Sequence, residues 1–132
     1  MKFFFDNCLS FKIAHALRAI FDKDEFAVLR EKYPQDAPDS EWIPDLGKEG
    51  DWIVLTDDRL WRNREQKKLL MDSGLIVFST PDEKRKPRLH ERAGQLISMW
   101  EDICQEAASA QRGTWFKLPR IAARKYKIQK LN

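Results

Sequence analysis

The sequence predicts an α/β fold three layers deep, with a mostly parallel central sheet of four to five strands between two layers of helices. Three observations predict it. Short apolar runs alternate with segments of helical period, in the order βαβαβαβα followed by a small β end. The runs Phe3-Phe4-Phe5, Trp52-Ile53-Val54-Leu55 and Leu75-Ile76-Val77-Phe78 are apolar without polar alternation, as strands are when both faces of a sheet are covered. Acidic residues also stand where two of these runs stop: Asp6 after the first, and Asp57-Asp58 after Thr56.

In chain order, residues 2–6 read as a buried strand. Leu9 to Phe21 has helical spacing, with Leu9, Ile13, Ala16, Leu17, Ile20 and Phe21 on one stripe. Residues 25–30 suit helix or strand, and the alternation of elements favours a second strand. Tyr33 to Pro38 is a loop with two prolines. Asp39 to Glu49 reads as a short helix that Gly50 ends. Pro44 is tolerated only in a first turn, which places the regular helix start near Ser40 or Glu41. Trp52 to Thr56 is the clearest strand, β-branched and aromatic. Leu60 to Met71 returns to helical spacing and closes at Ser73-Gly74. Residues 75–78 form a strand that Ser79-Thr80-Pro81 stops, and the charged run 82–88 is a loop. A long helix follows, its stripe running from Leu89 through Ala93, Leu96, Ile97, Trp100, Ile103 and Cys104 to Ala107. Gly113 ends it, and residues 114–118 add an edge strand before a basic tail.

The 132 residues suit a single domain, with an acidic core over 1–82, a long helix over 87–111 and a basic edge strand and tail over 112–132. An apolar share of 42% and five tryptophans exclude a disordered chain. Cys8 and Cys104 are the only cysteines and have no partner at ligand spacing, which argues against zinc and a disulfide framework and for a reducing cytoplasm. The N-terminal apolar run is too short for a signal peptide, and no stretch approaches a membrane span. Of 24 Lys and Arg, seven lie in 112–132 with no acid among them, so 17 face 21 acids in the remainder. That asymmetry suits a protein holding cations in one place and polyanions in another, or simply a solvated tail.

In a parallel sheet all strand C-termini share one edge, so Asp6, Asp57 and Asp58 open onto it. The N-terminus of the helix preceding the third strand lies on the same edge and brings Asp39 and Glu41. Carboxylates so grouped raise one another's pKa unless a counter-charge is present. A hard divalent cation supplies that charge and suits phosphodiester cleavage. Asn7 and Thr56, flanking two of the acids, can position a water or a carboxylate. No Ser/His/Asp set, phosphate-cradling glycine loop or zinc spacing offers another chemistry. Each acid also has an ordinary reading. Asp6 competes with Ser10 as a helix cap, Asp39 and Glu41 suit a first turn, and Asp57-Asp58 suit a turn and cap.

The segments Phe5-Asp6-Asn7, Asp39-Ser40-Glu41-Trp42-Ile43 and Trp52-Ile53-Val54-Leu55-Thr56-Asp57-Asp58, with Leu29 to Pro34 between the first two, resemble the PIN-like domains in order and spacing over roughly residues 1–82. These are compact α/β nucleases, many of them toxin ribonucleases of bacterial toxin–antitoxin pairs. The resemblance implies an endoribonuclease dependent on Mg²⁺ or Mn²⁺. Asp6 would be the central metal ligand, Asp39 or Glu41 the acid from the helix, and Asp58, with or without Asp57, the acid after the third strand. The chain departs from the pattern at Leu60, where many relatives carry a further Asp, and at the second acid, for which Asp39, Glu41 and Asp45 all compete.

Arg59 and Arg62 join Asn7 and Thr56 as candidates to position substrate, and Arg64, Lys84, Arg85 and Lys86 as candidates to hold the RNA backbone. Trp61 and Trp115 could stack on bases or belong to the core. His15 and His90 read as solvent-facing and Cys104 as core. The partners implied are RNA, a cognate antitoxin protein and a second copy of the chain, with no membrane. Two other readings stand beside this one: a catalytically weakened module that binds RNA or protein, and a phosphoacceptor receiver domain. The receiver reading needs a second acid beside Asp6 and has only Lys117 as its lysine.

Overall fold

The computed structural model of the chain describes residues 1–57 and 64–121. Asp58, Arg59, Leu60, Trp61 and Arg62 lie outside them, as do Arg124, Lys125, Lys127 and Lys130 of the tail. The elements are β1 (Lys2–Phe5), α1 (Phe11–Ile20), β2 (Glu25–Val28), α2 (Leu29–Lys32), α3 (Asp39–Glu49), β3 (Trp52–Asp57), α4 (Arg64–Asp72), β4 (Ile76–Thr80), α5 (Leu89–Ser109) and β5 (Trp115–Lys117). The strands form one sheet in the order β2-β1-β3-β4-β5, and every pairing is parallel.

The unbroken apolar strands are explained by two cores. Phe3, Phe5, Ile53, Leu55 and Phe78 face α1 and α5, which contribute Ile13, Leu17, Leu96, Trp100 and Ile103. Phe4, Trp52, Val54 and Val77 face α3 and α4, which contribute Trp42, Ile43, Leu46 and Leu70. Successive strand residues point to opposite faces, so a strand covered on both must be apolar at every position. Phe3, Phe4 and Phe5 are almost completely buried. Each such side chain contributes about 1.5–3 kcal/mol by leaving water. The molecule is thus a three-layer αβα sandwich.

Several local expectations are corrected. The helix over 39–49 begins at Asp39 and carries Pro44 in its interior, not in its first turn. Pro44 removes one backbone donor, but the burial of Trp42, Ile43 and Leu46 around it outweighs that loss. β4 does not stop at Ser79; it runs through Thr80, because both residues pair with β3 and are buried. The Ser79 hydroxyl is satisfied there, accepting from Trp115 Nε1 at 2.9 Å. α1 begins at Phe11, with Ser10 as its cap through Oγ to the Lys12 N–H, so Asp6 is free of that role. Ile20 is exposed, and Ala14 takes its place on the buried stripe. A short helix, α2, follows β2 directly, and α5 ends at Ser109, before Gly113.

The sheet order positions the site. From β1 the chain passes through α1 to β2 on one side, whereas from β3 it passes to β4 on the other. The connections diverge at the C-terminal ends of β1 and β3, the switch point where open α/β sheets leave a crevice. Asp6 stands at one side of it and Thr56-Asp57 at the other.

Candidate active site

Asp6 follows the last residue of β1, and its backbone N–H still donates to Leu55 O of β3. The residue is 8% exposed. Its carboxylate is held at both oxygens: Oδ1 accepts from the Asn7 N–H at 2.7 Å and Oδ2 from Thr56 Oγ1 at 3.1 Å. Burial pushes the Asp6 carboxyl above its ordinary value, and the negative charge of Asp39 adds to the effect. The hydrogen bonds from Asn7 and Thr56 oppose it without cancelling it.

Thr56 is fully buried. Its single hydroxyl proton goes to Asp6, so the 3.2 Å contact with Cys8 has the thiol as donor. The Cys8 sulfur in turn accepts from the Asp57 N–H at 3.1 Å. Although much of Cys8 is exposed, its sulfur is turned in on this chain of contacts. Burial and the neighbouring Asp6 push the thiol up to about 12, so it stays protonated as that donor. Nothing in ligand spacing singles out Cys8. The available signal was its place two residues beyond Asp6, on the same sheet edge.

A cleft of about 560 Å³ opens from Asp6 toward the end of β2 and the first turn of α3. Asp39 lines it, and its Oδ1 accepts from Trp42 Nε1 at 2.9 Å. The other contenders for the second acid lie elsewhere. Glu41 is exposed and off the cleft wall, and Asp45 accepts from the Tyr33 hydroxyl at 2.8 Å. Asp57 ends β3 on the far side of Asp6 and is not part of the cleft lining. Its charge, with that of Glu83, supports the buried guanidinium of Arg92 on α5, whose pKa burial alone would lower further.

Of the other predicted site residues, Asp58, Arg59 and Arg62 lie outside the described residues. Arg64 is exposed at the start of α4. Lys84 and Lys86 are exposed, while Arg85 is forked onto the Glu91 carboxylate at 3.1 and 3.2 Å. Trp115 is half-buried against Ser79, and Cys104, on α5, packs against the core. His15 and His90 are exposed, His15 within 2.8 Å of Glu31.

The family model described as a PIN like domain matches residues 1–82. The chain belongs to the PIN-like domain family. That match decides against the receiver alternative, which the strand order alone does not exclude. It spans β1 through β4 and therefore the whole cleft, while α5 and β5 lie beyond it. PIN-like domains are typically nucleases, so the chain carries a nuclease-type fold with an acidic cleft at the C-terminal ends of β1 and β2. Comparisons with curated proteins and with solved structures give no match. No helix among the described residues is long and apolar enough to cross a membrane.

PIN-like nucleases generally use divalent metals. Among the described residues no group of three or more His, Cys, Asp or Glu side chains stands ready to hold one. The pair Asp6 and Asp39 nonetheless fits a Mg²⁺-type ion, which keeps several waters and needs only one or two carboxylates. Both are hard oxygen donors, and each Asp6 oxygen keeps a lone pair beyond its single hydrogen bond. A cation there also relieves the burial and repulsion that raise the Asp6 pKa.

Proposed function

We propose that this PIN-like domain is an endoribonuclease dependent on Mg²⁺ or Mn²⁺ that hydrolyses RNA phosphodiesters at the Asp6 cleft. The observation that carries the reading is the Asp6 carboxylate, buried, held at both oxygens and facing a second acid, Asp39, across an open cleft. In a protein with no use for it, an ionised carboxylate so placed costs stability.

Asp6 and Asp39 would hold the ion, with Asp58 as a third oxygen ligand. When bound, the ion supplies an activated water and neutralises charge on the phosphoryl oxygens. Thr56 fixes the rotamer of Asp6 through Oδ2, Cys8 keeps the Thr56 hydroxyl pointed at Asp6, and Trp42 fixes Asp39. Asp57 serves through its backbone N–H, as the anchor of the Cys8 sulfur. Glu41 has no role in this arrangement. Arg64, Lys84 and Lys86 supply phosphate contacts, and Arg59 and Arg62 are assigned the same role from their place in the sequence after Asp58.

The reading treats 1–132 as one domain, since β5 extends the sheet and α5 completes one core. It places the protein in the cytoplasm as the toxin of a toxin–antitoxin pair, with a small antitoxin covering the cleft and a second copy of the chain as a further partner. A second reading, a catalytically weakened module that binds RNA or protein, is favoured by the absence of a three-ligand group among the described residues.

The test is cleavage of structured RNA with Mg²⁺, Mn²⁺ or EDTA, comparing wild type with Asp6→Asn. Metal-dependent cleavage lost in the variant supports the nuclease. RNA binding by folded wild type without cleavage under any metal favours the binding module.

A further inference from the structure

We propose that Arg30, laid over the Phe11 ring in the cleft wall, grips a phosphate of the RNA strand beside Asp6 and Asp39. The proposal rests on the nuclease reading above and adds to it a substrate-binding residue. Arg30 belongs to α2, which leaves the C-terminal end of β2 directly. Val28 there is in register with Phe5, so Arg30 emerges on the same sheet edge as Asp6 and one strand away. Lys84 and Lys86, by contrast, follow β4, which lies on the other side of β1 from β2.

Arg30 is the one cation among the described residues that line the cleft. Two carboxylates line it too, yet Arg30 pairs with neither; its contact is with the Phe11 ring, 4.4 Å from Cζ to the centroid. Its neighbours are occupied elsewhere. Glu31 takes His15 at 2.8 Å and Arg18 at 3.8 Å, and Lys32 takes Glu49 at 3.0 Å. The Phe11 ring is itself backed by His15 in an edge contact with centroids 5.3 Å apart. Stacking on a ring uses the flat face of a guanidinium and leaves its N–H fork available, in a geometry that suits two phosphate oxygens. A guanidinium placed only to balance the two acids would bond them. One held off them by a ring is set to meet a third, anionic group entering the cleft.

The test is steady-state RNA cleavage with Mn²⁺ over a salt series for wild type, Arg30→Ala, Arg30→Lys and Phe11→Leu, with a thermal melt of each. Loss of a charge-assisted contact predicts a KM roughly tenfold higher for Arg30→Ala, with kcat little changed. The slope of log KM against log salt should fall by about 0.7, the share of one phosphate on a single strand. Arg30→Lys should restore the slope but not the full KM, and Phe11→Leu should keep the slope with an intermediate KM. Melting temperatures close to wild type would accompany these changes. An active wild type whose KM and salt slope are unchanged in Arg30→Ala overturns the proposal and leaves the nuclease standing, as does a fall in kcat alone. A wild type that cleaves no RNA overturns both.

Discussion

Replacing Thr56 with Val keeps the shape of a fully buried side chain and removes only the hydroxyl that donates to Asp6 at 3.1 Å. A hydrogen bond to an ionised group contributes about 1.5–3 kcal/mol. The new methyl returns about 0.8 kcal/mol by its burial. The net loss at neutral pH is therefore about 1–2 kcal/mol, which lowers Tm by roughly 3–8 °C in a domain of this size. The loss should depend on pH. The folded-state pKa of Asp6 is raised, so its contribution to stability is complete below the unfolded value and is lost as pH rises through the folded one. Thr56 limits that rise by favouring the ionised form. In Thr56→Val the folded value moves up further, and the loss continues to higher pH. The two proteins should therefore melt within a degree or two of each other in acid, and diverge as pH rises through the native pKa of Asp6. Melts in chelating buffer across the acid-to-neutral range measure this. A Thr56→Val deficit of the same size at every pH would refute the idea that the hydroxyl serves the carboxylate charge.

Asp39→Asn removes the charge that raises the Asp6 pKa but keeps the oxygen that Trp42 Nε1 bonds, so an NMR titration should find the Asp6 value lower than in wild type. Asp6→Asn, melted in chelator at neutral pH, should equal or exceed wild type in Tm, because it no longer buries a charge. Mn²⁺ at ten times its Kd should then stabilise wild type by about 1.4 kcal/mol and the variant far less; equal stabilisation of both would remove Asp6 from the metal site. Gly47→Ala tests the close approach of α3 to the end of α4, since a Cβ there would stand 2.6 Å from Ser73 O and 2.8 Å from Ser73 Cβ. Urea denaturation should show a loss of about 1–3 kcal/mol, and a change under about 0.5 kcal/mol would mean that the two helices part easily.

The layer architecture was legible in the residues because burial on both faces of a strand demands an unbroken apolar run, and Phe3-Phe4-Phe5 and Trp52 to Leu55 meet that demand. The position of Asp6 was legible for a related reason: the first charge after such a run marks where the strand leaves the core. The second acid was half-legible. Asp39, Trp42, Ile43 and Leu46 fall at steps of three and four, so the buried side of α3 already pointed to Asp39 over Glu41. What remained hidden depends on which strands become neighbours. Ser79 and Thr80 look like a strand terminus until β3 is set beside β4 and pairs both, with β5 satisfying Ser79 from the other side. Pro44 looks like a helix start until Trp42 and Ile43 are seen buried around it.

Cys8 and Arg30 are the residues that local pattern could not supply. Cys8 matters because β1 and β3 are adjacent, which sets its sulfur between Thr56 and Asp57, 48 and 49 positions along the chain. Arg30 matters because β2 lies on the other side of β1, which brings α2 and Phe11 together at the cleft. Periodicity records how each segment meets the core. The choice of neighbour along the sheet rests on contacts between residues far apart in the chain, and only the assembled fold decides it.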